Sequence, residues 1–261
     1  MSAFRSIFKA VKPIIGMIHL PPLPDYEGSP GMDAIIQSAL CDLEVLEHFG
    51  VDGALVENEY DRPHRIKATG KTIDAMAAIT KALVEKSKNC IIGVEILLND
   101  AKASLDVAKA AGADFIRTDY FVDQMSRPGY GEFEIDPAGI IQHREKIGAQ
   151  NILIMADIQV KYAKMLINRT MSESAKLAEQ NFADAVVVSG RETGDAPVTN
   201  DLDQACQGCN IPVIIGSGAD AGNARKLLFH CDGAIVGTAL KEEKNVNAEK
   251  VHKLMRSIGR V

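Results

Sequence analysis

The stretch CDGAIV, residues 231–236, is one of four versions of a single short phrase; the others are VDGALV at 51–56, ADFIRT at 113–118 and ADAVVV at 183–188. Each sets an aspartate, Asp52, Asp114, Asp184 or Asp232, where a helical pattern stops and an apolar run begins. The phrases sit 62, 70 and 48 residues apart, and each interval holds two strand-and-helix units rather than one. A motif that steps by pairs of units suits a closed barrel whose interior layers are filled from alternate strands, and an open sheet has no reason to show it.

Working outward, eight Val- and Ile-rich runs follow in order: PIIGMIHL, GALVENE, CIIGVEILL, DFIRTDY, NILIMADIQV, AVVVSG, PVIIGSG and GAIVGTAL. They are continuously apolar rather than alternating, which marks strands covered on both faces, as in parallel sheets. Between them apolar residues recur at helical spacing, as in Ile73, Met76, Ala77, Thr80, Leu83, Val84 and in Val251, Leu254, Met255, Ile258. The expectation is an α/β fold, a single-domain (β/α)8 TIM barrel over residues 13–261, with a doubly wound sheet as the alternative. Residues 1–12 (MSAFRSIFKAVK) carry Phe4, Ile7, Phe8 and Val11 at helical spacing among Arg5, Lys9 and Lys12. They are expected to form a short amphipathic helix covering one end of the barrel; peripheral membrane or partner contact is the alternative.

Composition narrows the function classes. Of 261 residues, 46% are apolar and no apolar run is long enough to cross a bilayer. Twenty-nine Lys and Arg against thirty-five Asp and Glu leave a net charge of −6, which argues against nucleic acid as a partner. Self-association is compatible with this composition. Five cysteines, an odd number without a secretory signal, read as reduced thiols in a cytoplasmic protein, with organellar or peripheral membrane location as alternatives. Cys206 and Cys209 have the spacing of a zinc or redox pair, but lacking a second pair they read as incidental residues at a helix end.

In a barrel the C-terminal ends of all strands converge on one face. That gathers His19, Glu57 with Asn58, Glu95, Arg117 with Asp119, Asp157 with Gln159, Ser189 and, just beyond, Lys161. Strand parity puts Arg117 with Asp119, and Asp157 with Gln159. Crowded carboxylates raise one another's pKa while Arg117 and Lys161 lower it, a mixture suited to proton transfer beside a carbonyl. The plainer alternatives are a core histidine at His19 and a charge partner for Arg117 at Glu95. A divalent metal held by His19, Glu57, Asp119 and Asp157 is the less favoured reading for want of a second strand-end histidine, and no cofactor is expected.

Strands seven and eight end in IIGSGAD and IVGTAL. Gly216, Ser217, Gly218, Gly237 and Thr238, with Ser189 and Gly190 after strand six, are small residues whose amides can converge on a phosphate, helped by the following helix N-terminus. GSGADA fits the dinucleotide fingerprint, but only one strand remains after it, and TGKT at 69–72 lacks the first glycine of a Walker loop and reads as a helix N-cap. Ser189 lacks the G-x-S-x-G elbow because residue 187 is Val. The connection FVDQMSRPGYGEFEIDP is far longer than ordinary strand-to-helix loops and is expected to act as a lid, or else to be a disordered decoration.

The segments KPIIGMIHLPPLP…GSP, DFIRTDYFVDQ, MADIQVKYA, ADAVVVSGRETG, PVIIGSGAD and DGAIVGTALK resemble, in order and over nearly the whole chain, the BtpA/SgcQ family. The resemblance implies a TIM barrel related to ribulose-phosphate-binding barrels, and it offers two functional contexts, photosystem I biogenesis and sugar uptake, without naming a reaction. DQMSRPGYGEFEID departs from the shorter Gln-Gly turn expected there. Three readings follow: an isomerase, epimerase or aldol-type lyase acting on a small phosphorylated sugar or related carbonyl compound, an assembly factor for a membrane complex, or a non-catalytic sugar-phosphate sensor.

Overall fold

The computed structural model describes residues 3–192 and 194–260. Eight parallel strands close in sequential order: β1 (Ile14–His19), β2 (Gly53–Glu57), β3 (Ile91–Glu95), β4 (Phe115–Thr118), β5 (Leu153–Ile158), β6 (Ala185–Val188), β7 (Val213–Ile215) and β8 (Gly233–Val236), which pairs back onto β1. These are the eight apolar runs, and the fold is a (β/α)8 TIM barrel. Helix α1 (Ala3–Ile7) precedes β1, and α2 (Met32–His48), α3 (Gly70–Lys86), α4 (Ala101–Ala111), α5 (Pro137–Lys146), α6 (Met171–Gln180), α7 (Thr199–Gly208), α8 (Ala224–Leu227) and α9 (Ala248–Ser257) each follow a strand.

The recurring aspartates have one structural role. The backbone N–H of Asp52, Asp114, Asp184 and Asp232 donates to the carbonyl of Ile14, Ile92, Ile154 and Val213 respectively, at 2.8 to 2.9 Å. Each carboxylate accepts the N–H of that same residue in return, as Asp52 does from Ile14 at 2.7 Å, Asp184 from Ile154 at 2.9 Å and Asp232 from Val213 at 3.1 Å, and as Asp114 does from Ile92. Every odd strand is thus clasped at its start by the even strand after it, which is why the phrase steps by pairs. Arg260, Arg144 and Arg5 pair with Asp52, Asp184 and Asp232.

Inward parity fills the lower barrel with Ile15, Met17, Leu55, Phe115, Leu153, Met155, Val187, Ile214 and Ile235, while the outward residues pack under the helices. Gly93 makes room for this plug, since a Cβ there would lie 2.2 Å from the Phe115 ring. Phe4 of α1 and the following Phe8 close the bottom, with ring centroids 4.9 Å apart and Phe8 5.7 Å from Phe115. Both are buried, so these two apolar side chains face the barrel interior and not a membrane or partner; Val11 alone of the four stays largely exposed.

The long β4–α5 connection is a built element. Met125–Arg127, Gly131–Glu132 and, from the β5–α6 connection, Lys164–Met165 form a three-stranded antiparallel sheet. Leu98, Tyr120, Met125, Phe133 and Val160 give it a core of its own, with Tyr120 stacked on Phe133 at 3.6 Å. Thr69 caps α3 by accepting from Thr72 N–H, as the reading of TGKT requires. Cys206 lies in the last turn of α7 and Cys209 caps it; burial pushes their thiols up to about 11 and about 12, the opposite of reactive cysteines.

Candidate active site

Above the apolar plug, the next inward residue of β1 to β6 is polar, and glycines, Gly216 and Gly237, take that place on β7 and β8. His19, Glu57 and Glu95 are lateral neighbours in the register of β1, β2 and β3, so three titratable side chains stand in a row. His19 Nε2 lies 3.6 Å from Glu57 Oε2. Arg117 on β4 holds Asp157 on β5 in a two-point pair, Nε to Oδ2 at 2.7 Å and Nη2 to Oδ1 at 2.8 Å, with Glu95 Oε2 at 3.7 Å from Nε. A cavity of about 600 Å³ opens over this layer, and His19, Glu57, Glu95, Arg117, Asp119 and Lys161 line it.

Five expected residues, Asn58, Asp157, Gln159, Ser189 and Gly190, stand apart from the cavity lining. Asp157 is buried behind Arg117, and its Oδ1 also accepts from Ser189 Oγ at 3.4 Å, so it positions the guanidinium instead of facing a ligand. Gln159 leaves the strand in a left-handed conformation (φ 47°), which breaks the parity with Asp157. Its N–H donates to Asp123 and its Nε2 to Arg169 O and Ser174 Oγ. Asn58 is structural as well: it accepts from Leu97 N–H and donates to Asp61, whose other oxygen accepts from Leu23 N–H. That chain pins the proline-rich segment after His19 against the loops of β2 and β3 and makes it one wall of the site. Among the described residues, no three His, Cys, Asp or Glu side chains form a group able to hold a metal ion.

Burial governs the protonation states. It pushes Glu57 up to about 8, with repulsion from Glu59 adding to it and Arg117 and Lys161 only partly opposing. Asp119 rises to about 6 by burial and the Asp157 charge, restrained by Arg117, Lys161 and Arg127. Glu95 is raised well above its ordinary value by burial despite Arg117. His19 is held well below 6.5 by burial and by Lys241, Lys161, Arg117 and Arg62. For Arg117, burial alone would lower the pKa, but Asp157 and Glu95 win and hold it well above its usual value. These directions favour a neutral His19, an ionised Asp119 and a protonated Glu57 at neutral pH.

The corner after β7 and β8 is lined by Gly216, Ser217, Gly218, Gly237 and Thr238. A side chain at Gly237 would enter it, its Cβ lying 3.4 Å from His19 Cε1. Gly218 needs its φ of +71° and close approach, since a Cβ would sit 2.1 Å from the backbone between Asp195 and Ala196. Ser189 and Gly190 lie behind this surface: Gly190 N–H donates to Ser217 Oγ at 3.0 Å, and that hydroxyl donates to Asp195 O at 2.9 Å, tying the β6 and β7 loops. Helix α8 is a single short turn beginning at Ala224, so positive potential here comes from Lys161, Arg117 and Lys241 and not from a helix terminus.

Lys241, Arg62, His64, Arg127 and Tyr130 also line the cavity and escaped the sequence reading. Lys241 follows β8 directly, so strand-end convergence could have found it. It is buried, 4.0 Å from Asp42, and burial lowers its pKa against the pull of Asp42, Glu57 and Glu59. Arg127 and Tyr130 lie in the small antiparallel sheet, whose path beside the cavity no periodicity announces.

The BtpA family model matches residues 10–260. A Synechocystis protein named Photosystem I biogenesis protein BtpA is 32% identical over 254 residues, covering 95% of this chain and 86% of that protein. Among solved structures, (S)-3-O-geranylgeranylglyceryl phosphate synthase from Thermoplasma acidophilum, in complex with substrate sn-glycerol-1-phosphate, aligns with a TM-score of 0.62 at 18% identity, covering 98% of this chain and 97% of its own. N-(5'-phosphoribosyl)anthranilate isomerase from Pyrococcus furiosus aligns with a TM-score of 0.59 at 14% identity, covering 96% and 100%. At those identities the likeness is one of fold. No helix among the described residues is long and apolar enough to cross a membrane.

Proposed function

Since the chain belongs to the BtpA family and shares its barrel with enzymes of phosphorylated substrates, we propose that it is an enzyme acting on a small phosphorylated sugar or related carbonyl compound. The observation that carries this reading is the split of two cavity carboxylates around neutrality, Asp119 at about 6 and Glu57 at about 8, beside Arg117 and Lys161. Main-chain amides of Ser217, Gly218, Gly237 and Thr238 hold the phosphate. The Asp119 carboxylate removes a proton from the carbon beside the carbonyl; the C–H electrons move into the carbonyl, whose oxygen becomes an oxyanion facing Lys161 and Arg117. Protonated Glu57, with neutral His19 beside it, returns a proton. Delivery to the former carbonyl carbon, with the hydroxyl proton passing to the oxyanion, gives isomerisation; delivery to the opposite face of the carbon that lost its proton gives epimerisation. In an aldol-type lyase Asp119 takes a hydroxyl proton instead, the C–C bond breaks into the carbonyl, and Glu57 protonates the resulting enolate. Asp157 positions Arg117 throughout.

Turnover screened across sugar phosphates tests this. Asp119→Asn should cost about 10²- to 10⁴-fold in kcat while inorganic phosphate still binds. The wild-type rate should describe a bell with limbs near pH 6 and 8. An Asp119→Asn enzyme of unchanged kcat would remove the residue from the chemistry.

The name of the Synechocystis relative favours a second reading, an assembly factor for a membrane complex. Under it Gly237→Asp, which fills the phosphate corner, should leave cellular function intact; under the enzymatic reading that function is lost.

A further inference from the structure

The cavity is larger than one phosphate corner and one proton-transfer layer require, and its far wall is basic. In a closed ring of eight strands β3 stands across from β7 and β4 across from β8. The loops after β2, β3 and β4 therefore form the wall opposite Ser217, Gly218 and Thr238, and they bring Arg62, His64, Leu98, Arg127 and Tyr130 to it. A volume of about 600 Å³ is in the middle of the range that encloses drug-sized ligands, not three-carbon fragments.

Arg127 is the main feature of that wall. No carboxylate lies within ion-pair distance of it among the described residues, although Arg62, Arg65 and Arg117 all have one. Its guanidinium instead stands 5.6 Å from the Tyr130 ring centroid and 5.4 Å from that of Tyr162. Aromatic support of that kind holds the planar group in place, and with the Tyr120 hydroxyl meeting one of its N–H groups the others can still take an anion. Next to it is His64, only 8% exposed and kept neutral by burial and by Arg62 and Arg127, with a buried Nδ1 that has no partner among the described residues. Arg62 is turned to Glu59 at 2.6 Å and contributes charge at the rim.

We propose that this wall is a second anion subsite, so that the ligand is a phosphorylated compound bearing a carboxylate, or a second phosphate, at the end remote from the phosphate held after β7 and β8. Arg127 binds that second anion; Asp119, Glu57 and Lys161 then meet the atoms in between. The inference deepens the reading of the site as a sugar-phosphate enzyme and rests on it.

Calorimetric titration of the whole chain with inorganic phosphate, glucose 6-phosphate, 6-phosphogluconate and fructose 1,6-bisphosphate tests it. One of the two doubly anionic compounds should bind at least about tenfold tighter than glucose 6-phosphate, and which of them does so decides between carboxylate and phosphate. Arg127→Gln should reduce that preference to about twofold or less, and Arg127→Lys, which keeps the charge but not the fork, should fall between, both with wild-type affinity for inorganic phosphate. Equal affinities for all three sugar compounds, or a preference that survives Arg127→Gln in a variant with wild-type melting temperature, overturns the second subsite alone. Absence of binding by any of the four compounds overturns the phosphate reading itself.

Discussion

The two ends of this barrel are built from the same strands with the same inward parity, yet they obey opposite rules. At the lower end, Phe4, Phe8, Leu55, Phe115 and Ile235 fill the interior, and the four strand-start aspartates clasp strands in reciprocal hydrogen bonds. These groups are all apolar or paired, the arrangement expected of a face that carries stability. One layer higher, Glu57, Glu95 and Arg117 are each at least nine-tenths buried around an open cavity, and two of the three hold protons more tightly than free carboxyls do. Burial that stabilises the fold below is used above to keep acids protonated near neutral pH, at a cost to stability that the proposed reaction would account for.

The largest expected effect breaks the comparison from below. Phe8→Ala should destabilise by about 3–5 kcal/mol through the cavity it leaves, measured by denaturant unfolding, with no change in phosphate affinity. If phosphate binding weakened with it, the two ends would not be independent. Arg117→Met strips Asp157 and Glu95 of their cation, and its cost should be of similar size, about 3 kcal/mol or more, but confined to the upper layer: Arg117→Met combined with Asp157→Leu should recover much of it. A double variant no more stable than Arg117→Met would show that packing and not charge sets the cost. Asp184→Ala opens one clasp and leaves Arg144 without its carboxylate, for about 1–3 kcal/mol with turnover unchanged.

The smallest effect is one of slope. Glu57 is raised from 4.5 to about 8, so the stability its proton confers is complete below about pH 4.5 and is lost as pH climbs through 8. His19, lowered from 6.5, acts in the opposite sense and only as pH falls below 6.5. Between about pH 6.5 and 8 the stability should therefore decline, and Glu57→Gln should flatten the decline by up to about 1.4 kcal/mol per pH unit, one proton's worth. An unaltered slope would mean that Glu57 is already ionised in the folded protein.

These contrasts also mark what was readable in advance. The barrel was legible because its lower end is repetitive: an aspartate followed by an apolar run recurs wherever an even strand clasps an odd one. Strand-end convergence grouped His19, Glu57, Arg117, Asp119 and Lys161, and all five line one cavity, since parity and strand boundaries are local properties. Distance across the barrel is not local. Asp157 and Arg117 look equally available in sequence, and only their two-point pairing turns the aspartate into a support. Ser189 and Gly190 were placed with the phosphate corner for the same reason, whereas loop-to-loop bonds put them behind it. Arg127, Tyr130 and His64 belong to connections without periodicity, whose course depends on the small core around Tyr120 and Phe133.

The central claim, that the upper end holds a phosphate beside poised acids, is tested most directly by calorimetric titration of inorganic phosphate into the wild-type chain and into Gly237→Asp. The account predicts saturable binding to the wild type and none to Gly237→Asp, whose ligand-free melting temperature stays within a few degrees of wild type. Equal binding to both proteins, or none to the wild type, would contradict it.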